Sequence, residues 1–232
     1  MGRQKHDSYA IRNLLRFLQY YKLIDKNTCN ELLDRVPSFS RGDNGLAEDY
    51  VPLSLVLYSL AQSKSFTKKY TLFYQALYYS GGVRMEQLME ALQNSFIVKL
   101  RGKDYYRIRI KGLGTKTAAW AWLPKQILEE FIRDPPVISP SSLRAKFSKK
   151  RILTPTYIRS FCWQTAKQLL GHVHALLLQG RVGELKNYVT ATSYDNLVYQ
   201  LNEKYPVWMH FINDLTKHGS SIKEENYKIA KR

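Results

Sequence analysis

One stretch of this chain breaks an otherwise uniform pattern. Apolar residues recur at helical spacing through most of the sequence, but between Ser95 and Leu123 they alternate, in a run rich in β-branched and aromatic side chains. Alternation sends neighbouring side chains to opposite faces of a strand, whereas i, i+3, i+4 spacing gathers them on one face of a helix. A chain patterned in this way buries its apolar surface as helices packed around one small sheet. The expected fold class is therefore α+β, mainly α: a helical bundle with a small three-stranded antiparallel sheet.

The strands are placed at 95–100, 105–111 and 117–123, with Gly112-Leu113-Gly114-Thr115 as the hairpin turn before the third. Helices are expected over 8–22, 26–35, 52–63 and 66–79, and from Val83 to about Leu92. After the sheet, Pro124 is expected at the first helical position, where its missing N–H costs nothing, opening a helix to about Arg133. Ser141-Ser142 read as the cap of a basic helix, SSLRAKFSKK. Thr154 as N-cap and Pro155 at the first helical position start a long helix through about Leu170. Helices follow at 172–179, 183–190 and 193–216; Val207, Trp208, Phe211 and Leu215 in the last keep helical spacing and suit either a neighbouring copy or the chain's own core. The polar, glycine-containing SFSRGDNG break (38–45) is the best linker, which divides the chain into 1–45, 46–218 and a polar tail, 219–232.

Charge narrows the function. Lys and Arg number 36 against 19 Asp and Glu, a net charge of +17 spread along the chain. Such an excess repels itself in a compact state unless a polyanion absorbs it, and its spread favours a folded basic face over a disordered arm. Nucleic acid is the expected partner. A membrane surface is not: no apolar run approaches the ~18 residues of a spanning helix, and MGRQKHDSYAIRN has neither a signal-peptide core nor, with His6, a myristoylation signal. Cys29 and Cys162 form no CxxC, and the 5 histidines have no metal-ligand spacing, so neither a metal nor another cofactor is expected.

A few residues stand out by context. Arg84 follows Gly81-Gly82-Val83 at a helix start, where glycine lets main-chain N–H groups approach a phosphate and the helix dipole favours an anion. Arg159 lies in the first turns of the helix begun by Thr154-Pro155, and Arg181 follows Gln179-Gly180 at another helix start. Lys116 sits at the hairpin tip, and Tyr188 follows Arg181 downstream. Candidate nucleic-acid backbone contacts are Lys99, Arg101, Lys103, Arg107, Arg109, Lys111, Arg144, Lys146, Lys149, Lys150 and Arg151. On the second strand Arg107, Arg109 and Lys111 share one face, read as the nucleic-acid side. Contact with about 8 phosphates gives a log K against log salt slope near about −7.

The order of these motifs resembles the tyrosine recombinase family, and within it the integrases of archaeal viruses and plasmids. Tyr79-Ser80-Gly81-Gly82-Val83-Arg84 is similar to the first arginine box with one extra residue, Thr154 to Arg159 to the Thr-Pro-x-x-hydrophobic-Arg box, and Gln179-Gly180-Arg181 to the archaeal Gln-Gly-Arg box. Lys116 and Tyr188 fall where the family carries its hairpin lysine and its nucleophile, and the resemblance covers roughly residues 50–205. It implies a site-specific recombinase that cleaves and rejoins DNA through a 3′-phosphotyrosyl intermediate, acting on double-stranded DNA as a tetramer at the host nucleoid, in the cytoplasm. Arg84, Arg159 and Arg181 would clamp the phosphate, Lys116 would protonate the 5′-oxygen, and Tyr188 would attack.

The chain also departs from the pattern. Thr156 stands where the family has His or Lys, and a threonine is no general base at neutral pH. The arginine charges are then expected to lower the tyrosine pKa, normally about 10. Gln87 replaces a carboxylate, with Glu86 adjacent, and the Arg181-to-Tyr188 spacing is short, which makes Tyr194 the alternative nucleophile. Residues 1–45 read as the remnant of an N-terminal helical DNA clamp and its linker, predicting weaker site selection than in a family member with a full clamp. Alternatives are a catalytically impaired DNA-binding protein of the same fold, a type IB topoisomerase-like activity, and an unrelated basic helical nucleic-acid-binding protein.

Overall fold

The alternating stretch forms an antiparallel sheet, order β1-β2-β3, from β1 (Ile97–Lys99), β2 (Tyr105–Arg109) and β3 (Trp120–Pro124). The structure, a computed structural model, describes residues 11, 14–15, 18–19, 23–36, 51–94, 97–111, 120–135, 139–181, 185 and 191–219. The chain divides into two compact units, Met1–Glu48 and Asp49–Arg232. The expected hairpin turn at 112–115, most of the helices expected at 8–22 and 183–190, and the tail lie outside the described residues.

In the first unit, α1 (Lys26–Arg35) is capped by Asp25, whose carboxylate accepts from the N–H groups of Asn27 at 2.8 Å and Thr28 at 3.0 Å. A charged N-cap both pairs orphan donors and suits the helix dipole. The buried Cys29 thiol lies 3.6 Å from the Leu15 carbonyl.

In the second unit, α2 (Leu53–Ser63), α3 (Lys68–Tyr79) and α4 (Met85–Asn94) precede the sheet. After it come α5 (Lys125–Arg133), α6 (Pro140–Lys149), α7 (Pro155–Leu170), α8 (His172–Leu178) and α9 (Ala191–Gly219). Helix α3 is deeply buried, with Phe73, Tyr74, Ala76, Leu77 and Tyr78 all in the core. The buried stripe of α9 runs Val198, Leu201, Tyr205, Trp208, Ile212 and Leu215, alternating steps of three and four.

That stripe packs on the chain's own core. Trp208 Nε1 donates to the carbonyls of Tyr78 and Tyr79, both at 3.1 Å, and the Tyr205 hydroxyl lies 3.1 Å from the Tyr79 carbonyl and 3.0 Å from that of Trp122. Last-turn carbonyls have no partner within their own helix, so α9 adds donors to the end of α3 beside those of the turn that follows it. Pro206 lies inside α9 and cannot donate to the Asn202 carbonyl; the Tyr105 hydroxyl donates to it instead.

Two expected boundaries are corrected. Pro124 is the last residue of β3, paired opposite Tyr105, and its extended ψ of 139° makes it the N-cap of α5, which begins at Lys125. The cap of α6 is Ser139, whose hydroxyl accepts from Ser142 N–H at 3.1 Å, while Ser141 and Ser142 lie inside the first turn. Pro140 suits the first helical position, so the residue before it takes the cap. Thr154 is the N-cap of α7 with Pro155 next to it, without a side-chain cap bond.

Candidate active site

Two helix C-terminal turns build the site. Past α3, Gly81 N–H donates to Tyr78 O at 2.9 Å and Gly82 N–H to Leu77 O at 2.8 Å. Past α8, Gly180 N–H donates to Leu177 O at 3.0 Å and Arg181 N–H to Leu176 O at 2.8 Å. Both are Schellman turns, which need a left-handed residue after the cap; Gly81 (φ 70°) and Gly180 (φ 67°) supply it. The expectation that the Gly81-Gly82 pair presents N–H groups to a phosphate is corrected, because both are bonded to carbonyls of α3. The glycines serve close packing instead. A Cβ on Gly81 would run into the Leu178 side chain, and one on Gly82 would fall 2.7 Å from the Cα of Arg159. The turn after α3 therefore packs against α8 and the start of α7.

This packing brings together the elements that carry three predicted arginines. Arg84 immediately precedes α4, and its carbonyl accepts from Leu88 N–H at 2.9 Å. Arg159, on α7, donates from Nη1 to the carbonyls of Gly82 at 2.6 Å and Gln179 at 3.3 Å. Arg181 lies over the Trp163 ring, 4.5 Å from its centroid, and its carbonyl accepts from Leu185 N–H at 3.2 Å. Gln179, only 1% exposed, joins two of the three: its amide donates to Arg159 O at 2.7 Å, and its Oε1 accepts from Arg181 Nε at 2.9 Å. In the sequence Gln179 belongs to the Gln-Gly-Arg motif with no role of its own. Its signal was a polar side chain between three leucines and a helix-ending glycine.

Arg84 and Arg159 line one cleft of about 490 Å³, together with Glu86, Arg144, Thr154 and Thr156. Thr154, Pro155 and Thr156 are the cap and first turn of α7, so this wall presents the positive end of a 16-residue helix. Thr156 is exposed on it. Gln87 is buried, its amide donating to Lys111 O at 3.4 Å. A carboxylate there would face a carbonyl out of water, which accounts for the neutral side chain. The cleft can hold an oxyanion between the guanidiniums of Arg84 and Arg159, of which Arg159 is held by its bonds to the Gly82 and Gln179 carbonyls; Arg181 is not among the residues that line it. Lys116 and Tyr188 lie outside the described residues.

The alternative nucleophile, Tyr194, is described and ill suited. Its hydroxyl is buried, and burial pushes its pKa up to about 12, against the lowering influence of Arg107. In this structure that oxygen is shielded from solvent and harder to ionise than a free phenol.

The predicted backbone contacts divide in three. Lys99, Arg101, Arg109, Lys111, Lys149, Lys150 and Arg151 are exposed. Lys103 pairs with Glu203 at 2.8 Å, Arg144 pairs with Glu86, and Lys146 sits 3.7 Å above the Tyr70 ring. Arg107 is corrected as a member of an open charged face: it is half-buried and stacked 4.0 Å above Trp120, and burial lowers its pKa. The cause is α9. Tyr105 and Trp122 share that face of the sheet and are buried, with Trp122 Nε1 donating to Asn202 at 2.8 Å.

Among the described residues, no group of three or more His, Cys, Asp or Glu is arranged to hold a metal ion, and no helix is long and apolar enough to cross a membrane. Comparison with protein-family models, with curated proteins and with solved structures finds no significant match.

Proposed function

We propose that this chain is a tyrosine-dependent DNA strand transferase, a recombinase of the integrase kind. The observation that carries this reading is the Gln179-centred network, which ties Arg159 to Arg181 and to the Gly82 turn just before Arg84. A phosphodiester resists attack because its oxygens are already negative. Guanidiniums fixed in advance around those oxygens offset the charge that develops in the pentavalent transition state, each such donor contributing roughly 10²–10³ in rate.

Tyr188 gives up its proton to solvent water, helped by the arginine charges that lower its pKa; its oxygen then forms a bond to phosphorus as the bond to the 5′-oxygen breaks, and Lys116 delivers the proton that the leaving oxygen takes. One phosphoester replaces another, so rejoining by the reverse step needs no nucleotide cofactor. The substrate is double-stranded DNA, engaged as a tetramer at the host nucleoid, and the +17 net charge supports a polyanionic partner.

A second reading, DNA binding on the same fold without catalysis, is favoured by one observation: the cleft wall carries exposed Thr156 and no side chain with the basicity of His or Lys beside it on the first turn of α7. Incubation with a nicked duplex that releases a short fragment bearing the new 5′-hydroxyl on cleavage separates the two. The strand-transferase reading expects a denaturation-resistant protein–DNA adduct that Tyr188→Phe abolishes. DNA binding without an adduct overturns it in favour of the second reading. Relaxation of supercoiled DNA free of any target sequence would identify topoisomerase-like activity.

A further inference from the structure

Glu86 and Arg144 form an ion pair on the lining of the cleft that also holds Arg84 and Arg159. We infer that Arg144 is a further phosphate-binding residue of this cleft and that Glu86 is its exchangeable counterion, displaced when a DNA phosphate enters. The inference deepens the strand-transferase reading and rests on the cleft being its DNA-backbone site.

Three features lead to it. First, the lining sets three guanidiniums, Arg84, Arg144 and Arg159, against the single carboxylate of Glu86. An anion that enters meets two unlike surroundings, a positive helix end with Arg84 and Arg159, and an arginine already neutralised. Second, the pair is weakly held. The Arg144 side chain is 60% exposed and that of Glu86 37%, and pairs exposed to this degree add little stability because water and salt screen them. A phosphate offers the same guanidinium a bidentate contact and draws on the cations beside it. Third, Glu86 has somewhere favourable to remain. It lies in the first turn of α4, where the helix dipole stabilises a carboxylate whether or not Arg144 is bound to it. Without a ligand, Glu86 keeps Arg144 from holding stray anions. With one, the carboxylate's repulsion falls on the bound phosphate, so removing it strengthens binding.

The test is a double-mutant cycle on the full chain, read as duplex-DNA affinity across a salt series by fluorescence anisotropy. Glu86→Gln is expected to tighten binding about 1.5-fold to fivefold, the worth of one charge contact of this exposure. Arg144→Gln is expected to weaken binding and flatten the salt slope by about 0.9, one phosphate. In the Arg144→Gln background, Glu86→Gln is expected to add little. An equal gain in both backgrounds overturns the inference, since it would report only long-range repulsion by Glu86, as does the absence of any gain. Arg84→Gln and Arg159→Gln run alongside: if both weaken binding while the cycle shows no coupling, the exchange fails and the cleft reading survives, whereas if neither changes affinity the cleft is not the DNA site and both fall.

Discussion

Replacing Gln179 by Met tests the network with little change in side-chain volume. The substitution removes the 2.7 Å bond to Arg159 O and the 2.9 Å bond from Arg181 Nε, and it leaves the main-chain contact from Arg159 Nη1 to Gln179 O. A neutral hydrogen bond contributes about 0.5–1.5 kcal/mol net and one to a charged group about 1.5–3 kcal/mol. Arg181 is half-buried, so water takes over part of its bond. A methionine buried in place of an amide recovers some of the remainder. The expected loss of stability is therefore about 2 kcal/mol, read as a lower urea midpoint at unchanged slope. Function should fall further than stability, because Arg181 loses the acceptor that aims it; a misplacement of about 1 Å in a positioning group costs on the order of 10²-fold in rate. Single-turnover formation of the covalent adduct at a temperature where the variant is fully folded measures this. If Gln179→Met forms adduct within about threefold of the parent rate, Gln179 does not orient the clamp and the argument from the network is wrong.

Other substitutions probe separate parts of the account. Arg151 adopts φ 53° at the turn that ends α6, where Arg151 N–H donates to Ser148 O at 3.0 Å and Ile152 N–H to Phe147 O at 3.2 Å. Arg151→Gly should raise stability by roughly 0.5–1 kcal/mol in urea unfolding, and should flatten the salt slope of DNA binding by about 0.9. Tyr194→Phe removes a buried hydroxyl that has no partner among the described residues, so stability should hold or rise by up to about 1 kcal/mol and the adduct should still form; loss of the adduct would return Tyr194 as the nucleophile. His174 is 9% exposed, with its ring 3.2 Å from Gln200 Oε1 and 3.5 Å from Lys204 Nζ; burial first, and then Lys204, lower its pKa from 6.5. The unfolded chain then binds a proton that the folded chain refuses, so stability should fall as pH drops below 6.5 and on through the lower folded value. His174→Gln should flatten that dependence in pH-resolved thermal unfolding.

The helices and the sheet were legible because periodicity reports which face is buried, and that is a local property. Boundaries were legible where one residue type dominates the local energetics, as at Thr154-Pro155, and failed where two neighbours compete for the cap, as at Ser139 and Ser141. Pro124 illustrates the limit: its φ suits a first helical residue, but pairing with Tyr105 holds its ψ extended, and a cross-strand partner does not show in local sequence. The arginines were visible as arginines near helix starts. The roles of the glycines before them were misjudged, because whether an N–H is free depends on the carbonyls of the preceding helix. Gln179 and Arg107 escaped for the same reason: the first is defined by Arg159 and Arg181, the second by α9 closing over the sheet. Each contact joins residues far apart in the chain, while composition and spacing describe only neighbours.

The most direct measurement is to trap the chain on a nicked duplex, digest protein and DNA, and map by mass spectrometry the peptide that retains nucleotide. The account predicts the nucleotide on the Tyr188 oxygen. Nucleotide on any other side chain, or no modified peptide under conditions where the DNA is demonstrably bound, would contradict it.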